Sequence, residues 1–121
     1  MNQNNLTFQL SGRNESSRFK KLHNITYNNV AETSALVAKE IADGIRNCKS
    51  EYYLLGLATG SSSTGVYKEL VRLHREEKLT FKNVVTFNLD ECFGLKREDK
   101  NSYNSFMHTH LFDHINLPKD Q

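Results

Sequence analysis

The stretch LLGLATGSSSTG, residues 54–65, changes abruptly from apolar side chains to glycine and small hydroxyl residues. The apolar run that begins it, YYLLGLA at residues 52–58, is too short for a good helix and is typical of a parallel strand buried on both faces. Glycine permits close approach to the backbone, and hydroxyl and N–H groups at a helix start donate to anions. The loop is therefore either a phosphate-binding loop or an ordinary strand-to-helix connection.

The segments on either side of this stretch show helical and strand patterns. Residues 84–90, VVTFNLD, predict a second strand, and residues 102–115 predict a helix with Asn101 or Ser102 as its N-cap. Apolar side chains at helical spacing predict two further helices, one through Val30, Val37, Ile41, Ile45 and Cys48 and one through Val66, Tyr67, Leu70, Val71 and His74. A strand, a helix and a second strand in this order form a βαβ unit, so we expect an α/β fold with a parallel sheet.

Length and charge limit the classes of function. The chain has 121 residues with 16 Lys and Arg against 14 Asp and Glu, which fits one domain and gives no reason to expect a nucleic-acid partner. No segment approaches the roughly 18 apolar residues of a membrane span, and the N-terminus lacks a signal-peptide pattern, so we expect a cytoplasmic protein without membrane contact. Cys48 and Cys92 are far apart in sequence and suit reduced thiols. The polar residues 1–28 predict an extension in front of a domain at residues 29–121.

The two predicted strands end in different polar groups. The first is followed by Thr59, Gly60 and the serines of the loop, and the second ends in Asn88, Asp90 and Glu91. Ligands of parallel sheets bind beyond the carboxyl ends of the strands, so neighbouring strands would bring donors and carboxylates together. NLDE, residues 88–91, is either a catalytic acid and base or a solvated acidic turn.

Several long motifs carry a resemblance to a known family. LGLATGSSSTGVYKEL, RLHREEKLTFKNVVTFNLDE, the dipeptide Gly94–Leu95 and SYNSFMHTHLFDHINLP resemble, in order and spacing, the N-terminal half of the glucosamine/galactosamine-6-phosphate isomerase family. The resemblance covers roughly residues 29–121. It implies a Rossmann-like parallel sheet with flanking helices, incomplete in this chain. It also implies conversion of glucosamine 6-phosphate and water to fructose 6-phosphate and ammonia, with no cofactor and no metal.

The resemblance also implies roles for single residues. Thr59, Gly60, Ser61 and Ser62 fall on the loop that holds the substrate phosphate, and Asp90 falls on the aspartate that moves a proton between C2 and C1. Glu91, its neighbour in the motif, is expected to belong to the substrate-binding residues and to position the loop rather than to react. Tyr103 falls where the family places a tyrosine near the sugar, although a core aromatic in the first turn of a helix remains the alternative.

The chain also departs from the family pattern. Members commonly have proline at the position of Ser63 and tyrosine at that of Cys92, which affects loop rigidity and pocket shape. The family's ring-opening histidine and its phosphate-binding cations have no counterpart in these residues, so we expect a fragment that is inactive alone. A sugar-phosphate lactonase and a non-catalytic sugar-phosphate-binding domain remain alternatives, and a homo-oligomer remains open for a longer chain. His108, His110 and His114 favour ordinary helix positions over a metal site.

Overall fold

The computed structural model describes residues 25–121. They form an alternating series of helices and strands, followed by a short 3-10 helix at Phe112–His114: α1 (Val30–Arg46), β1 (Tyr53–Leu57), α2 (Ser61–Glu77), β2 (Val84–Asn88) and α3 (Tyr103–His110). This order confirms the predicted α/β class. The predicted extension, residues 1–28, lies outside the described residues except for residues 25–28, so its boundary stays a prediction.

Helix α1 begins and ends at residues that suit its termini. The Asn29 side chain accepts a hydrogen bond from the Glu32 N–H at 2.9 Å, and Glu32 and Arg46 place opposite charges in the first and last turns. The buried positions recur at helical spacing, at Ser34, Ala38, Ala42 and Ile45. Because these side chains are mostly small, a second helix can approach α1 closely.

The two strands pair in parallel, as predicted. The register joins Tyr53 to Val84 and Leu57 to Asn88. The prediction that β1 is buried on both faces was wrong, because Leu55 and Leu57 are buried while Leu54 is 67% exposed. The helices within residues 25–121 pack on one face of the sheet, so alternate side chains of the apolar run face solvent.

The core lies between the covered face of the sheet and the helices. Leu55 and Leu57 belong to one buried cluster with Ala42, Leu70 and Met107. Gly65 on α2 lies against Ser34 on α1, and a Cβ atom added there would come within 3.1 Å of the Ser34 Cβ and closer still to its Oγ. Glycine at this position therefore permits the close packing of α1 and α2.

Helix α3 starts where predicted but ends earlier. Ser102 is the N-cap, and its Oγ accepts a hydrogen bond from the Ser105 N–H at 3.0 Å. The predicted helix over residues 102–115 stops at His110, because the backbone of Leu111 leaves the helical region (φ −140°) and its side chain is fully buried. The chain then returns to the sheet, where the Thr86 N–H donates to the Gln121 carbonyl at 3.1 Å.

Candidate functional site

The loop between β1 and α2 presents backbone donors at the edge of the sheet. Gly60 is the N-cap of α2 with φ 106°, a backbone conformation that favours glycine, and it supplies no side-chain cap. The first N–H groups of a helix have no partner within the helix. The N–H groups of Ser61 and Ser62, both exposed residues, therefore face outward from the positive end of the helix dipole.

The hydroxyl groups of this loop divide into two kinds. The Ser63 Oγ lies 3.1 Å from the Ala58 carbonyl oxygen and 2.9 Å from that of Gly60, and the Thr64 Oγ1 donates to the Ser61 carbonyl at 2.7 Å. These two hydroxyls hold the loop. Ser63, at the position where the resemblance leads us to expect proline, thus stabilises the loop through its side chain. Ser61 and Ser62 carry the hydroxyls at the exposed surface.

Tyr67 supports the same loop, although the sequence pattern predicted only a place in the apolar stripe of α2. Its buried side chain reaches back to the end of β1. There the Tyr67 hydroxyl donates to the Ala58 carbonyl, and the Ala58 N–H lies 3.1 Å from the Tyr67 hydroxyl oxygen. Burial raises the pKa of Tyr67, so the hydroxyl stays protonated and can donate. Thr59 therefore follows a strand end that Tyr67 holds in place.

The end of β2 brings the acidic residues to the same edge. Pairing continues past the strands, since the Leu89 N–H donates to the Leu57 carbonyl at 3.1 Å. Asp90 is the next residue, and it is exposed. Because the strands are parallel, Asp90 and the loop at residues 59–62 both follow the carboxyl ends of neighbouring strands.

Tyr103, at the start of α3, connects the two loops. The Cys92 thiol beside its hydroxyl and, more weakly, the Asp90 carboxylate raise the pKa of Tyr103, while the hydroxyl of Thr59 acts in the opposite direction as a hydrogen-bond partner. Groups from both loops therefore influence the ionisation of the same phenol. Thr59 and Asp90 therefore act on Tyr103 from two different loops, and the binding of a sugar by these residues stays a prediction.

Glu91 makes backbone contacts that the sequence did not reveal. Its Oε1 accepts hydrogen bonds from the N–H groups of Cys92 and Tyr103, both at 2.8 Å, and its Oε2 accepts one from Asn104 at 3.0 Å. These bonds, first that of Tyr103, hold the pKa of Glu91 below its ordinary value of 4.5. A direct contact of Glu91 with substrate stays a prediction.

The three histidines near the end of the chain contact their own surroundings. The His108 Nδ1 lies 2.7 Å from an Asp113 carboxylate oxygen, and the His114 Nε2 lies 2.9 Å from the Thr109 carbonyl. The His110 ring lies against the Phe106 ring, with 4.3 Å between the ring centroids. No group of three or more His, Cys, Asp and Glu side chains within residues 25–121 could hold a metal ion. Of the helices in that range, none has both the length and the apolar character needed to cross a membrane.

Comparison with curated proteins identifies relatives of this chain. It is 50% identical over 97 residues to glucosamine-6-phosphate deaminase of Bacillus velezensis, a match that covers 80% of this chain and 39% of the relative. The deaminase of Clostridium perfringens strain SM101 is 45% identical over 96 residues, with 79% and 39% covered. The chain thus spans about two fifths of the length of the curated relatives it matches. No family model matches it.

Solved structures give the same result for the fold. A monomeric glucosamine-6-phosphate deaminase, described as a missing link of the NagB superfamily, matches with a TM-score of 0.73 and 39% identity over 78% of this chain and 38% of its own. A structure described as devB protein matches with a TM-score of 0.57 and 22% identity, a likeness of fold alone. Sequence and fold together make the chain a homologue of part of the glucosamine-6-phosphate deaminases.

Proposed function

We propose that this chain, a homologue of part of the glucosamine-6-phosphate deaminases, carries the phosphate loop and the proton-transferring carboxylate of such an enzyme. The observation that supports the proposal most directly is the parallel pairing of β1 and β2, which places residues 59–62 and Asp90 beyond the carboxyl ends of neighbouring strands. Two loops of different chemistry, one rich in donors and one acidic, thereby share one edge of the sheet. A sugar phosphate needs both kinds of group at once.

The phosphate binds at the start of α2 in this proposal. The N–H groups of Ser61 and Ser62 and their hydroxyls donate to the phosphate oxygens, and the helix dipole favours the negative charge. Gly60 leaves room for the ligand, since a Cβ atom there would meet nothing within 4 Å while its φ of 106° would strain any other residue. The sugar then extends toward Asp90 and Tyr103.

Asp90 transfers the proton in the proposed reaction. Its carboxylate takes the proton from C2 of the open-chain sugar, the electron pair forms a C1–C2 double bond, and the C1 oxygen takes a proton from solvent to give an enolamine. Asp90 then returns a proton to C1, which leaves an iminium group at C2. Water adds at C2 and ammonia leaves, so the products are fructose 6-phosphate and ammonia. The reaction consumes water, and we therefore assign the enzyme to the hydrolases.

Two finer points belong to the same proposal. Cys48 and Cys92 are both free thiols, which is consistent with a cytoplasmic protein. A homo-oligomer stays a prediction, and sedimentation of the purified chain over a range of concentrations tests it.

Labelling of the two cysteines tests the site. Cys92 lies beside Tyr103. The Cys48 thiol lies near the carbonyl of Tyr52, the residue before β1, at the end of the strand away from the proposed site. Cys48 therefore serves as an internal control. We expect glucosamine 6-phosphate to slow alkylation of Cys92 and to leave the rate at Cys48 unchanged, as measured by mass spectrometry. Glucosamine without phosphate should protect neither thiol. Equal Cys92 rates with and without glucosamine 6-phosphate would refute the proposed site.

The variant Asp90→Asn separates binding from proton transfer in the same experiment. Asparagine keeps the shape of the side chain but cannot accept the C2 proton, so protection of Cys92 should persist. The sugar ring also opens spontaneously in water, so exchange at C2 does not need the ring-opening histidine and can be measured in a chain that releases no ammonia. Loss of the C2 hydrogen signal in deuterium oxide, followed by NMR, should slow by about a hundredfold to ten-thousandfold relative to the unsubstituted chain. Protection of Cys92 without any exchange at C2 in the unsubstituted chain would instead favour the non-catalytic binding domain.

A further inference from the structure

Glu91 joins two segments that are distant in sequence. It follows Asp90 at the end of β2, and its carboxylate accepts hydrogen bonds from the backbone of Tyr103 and Asn104 in the first turn of α3. Those N–H groups belong to a helix start, where intrahelical acceptors are lacking. The Ser102 side chain caps the Ser105 N–H, so Ser102 and Glu91 together satisfy three consecutive donors, on Tyr103, Asn104 and Ser105.

We propose that Glu91 is a positioning residue of the deaminase site, which holds the loop carrying Asp90 against the start of α3 so that Asp90 and Tyr103 face the sugar together. This inference rests on the proposed function. Each of the two segments carries one of the sugar-facing side chains. If the connection through Glu91 is lost, Asp90 and Tyr103 no longer keep a fixed separation, although each remains in place within its own segment.

The hydrogen bonds leave Glu91 little capacity for another role. Both carboxylate oxygens accept from backbone N–H groups, and the Cys92 N–H at 2.8 Å curls the loop around the same carboxylate. A carboxylate that accepts several backbone N–H bonds is stabilised in its charged form and is a poor base. Proton transfer therefore belongs to Asp90, and Glu91 acts through the backbone.

The positioning role of Glu91 should affect binding of the sugar and leave binding of the phosphate unchanged. The phosphate loop is held by Ser63 and Tyr67, which make no hydrogen bond to Glu91. Loss of the Glu91 carboxylate should therefore weaken recognition of the sugar while inorganic phosphate binds as before. A general loss of structure would weaken both ligands alike.

The pH dependence gives a second signature. The pKa of Glu91 is lowered, so its stabilising effect is complete above the ordinary value of 4.5 and is lost as the pH falls through the lower value in the folded protein. The titratable residues next to it are Asp90 and Cys92, its neighbours in sequence, and Tyr103 on α3, whose N–H donates to Glu91. The Asp90→Asn variant removes the neighbouring carboxylate and serves as a control for its contribution to the pH dependence.

The test compares Glu91→Gln with Glu98→Gln, which makes the same charge change at an exposed position of the same loop. Glutamine can still accept at its oxygen, but its NH₂ group would face the Asn104 N–H. We expect Glu91→Gln to reduce the protection of the Asn104 amide against hydrogen exchange by about tenfold or more, because the lost bond is charge-assisted. In the parent chain this protection should decrease as the pH is lowered below 4.5. In Glu91→Gln it should not depend on pH in that range.

Ligand binding completes the test. Protection of Cys92 by glucosamine 6-phosphate should need at least about tenfold more ligand in Glu91→Gln, and inorganic phosphate, measured by shifts of the Ser61 and Ser62 amides, should bind equally in both chains. Glu98→Gln should match the parent chain in every measurement. Unchanged exchange of the Asn104 amide in Glu91→Gln, measured without ligand, would overturn the positioning role. Equal weakening of the binding of glucosamine 6-phosphate and of inorganic phosphate would overturn it as well. If glucosamine 6-phosphate does not protect Cys92 in the parent chain, the result would count against the proposed function instead.

Discussion

The two faces of the sheet carry similar side chains and have opposite surroundings. Leu54 and Leu55 are neighbours in β1, yet Leu54 is 67% exposed and Leu55 is 7% exposed. On the open face Leu54 lies opposite Val85, and Gly56 lies opposite the exposed Phe87. An apolar residue in a strand is therefore not a core residue by composition alone. The elements packed on each face decide which leucine contributes to stability.

The covered face depends on how closely the helices approach. Helix α1 presents Ala38 and Ala42 toward the core, and α2 presents Gly65 toward Ser34. Small side chains at these positions allow Leu70 and Leu73 of α2 to be buried in the same cluster as Leu55. The same leucines would lose packing contacts if α1 and α2 moved apart.

The largest expected effect comes from paired truncations in β1. Leu55→Ala removes a buried side chain and leaves a cavity, so we expect a loss of about 2 to 4 kcal/mol in the free energy of unfolding. Leu54→Ala removes the same atoms from the open face and should change it by about 0.5 kcal/mol or less. Urea denaturation of both variants measures the difference. Equal losses would show that the open face is packed in solution and would break the comparison.

A substitution at the close contact between α1 and α2 should have a smaller effect on the free energy of unfolding. Gly65→Ala favours the helix by about 1 kcal/mol but forces a methyl group against the Ser34 side chain, and we expect a net loss of about 1 to 3 kcal/mol. Ser34→Ala in the same chain removes the hydroxyl nearest to the new methyl group and should recover part of that loss. A double-mutant cycle gives the coupling energy. A stabilised Gly65→Ala single variant would mean that Ser34 rotates away without cost.

The sequence was sufficient for the order and type of the elements because their patterns are local. Periodicity placed three helices and two strands, and residue type limited the cap of α3 to Asn101 or Ser102, of which the structure has Ser102. The one-sided burial of β1 was not readable, because a short apolar run looks the same whether one or both faces are covered. Coverage is a property of the whole arrangement of elements.

The site shows the same division between local and tertiary information. Motifs pointed to Asp90 and the phosphate loop, since these residues are close in sequence to the strand ends. The contacts of Tyr67 with Ala58 and of Glu91 with Asn104 span helix and loop and depend on tertiary packing. No pattern of residue types distinguishes such a tyrosine from a core aromatic, or such a glutamate from a solvated one.

The smallest expected effect concerns the end of α2, the helix that contributes Leu70 and Leu73 to the core. Lys78 ends this helix in the left-handed conformation, with φ 56° and ψ 29°, and the following Leu79 N–H donates to the Leu73 carbonyl at 3.2 Å. A side chain with a Cβ is strained in this region, and glycine is not. Lys78→Gly should therefore stabilise the chain by about 0.5 to 1 kcal/mol, after the greater freedom of glycine in the unfolded chain is taken into account. Lys68→Gly, at an exposed position inside the same helix, removes the same side chain and should destabilise by about 1 kcal/mol. Thermal or urea unfolding of the two variants should thus shift in opposite directions, and a loss of stability in Lys78→Gly similar to that in Lys68→Gly would show that the left-handed turn does not limit the stability of the covering helix.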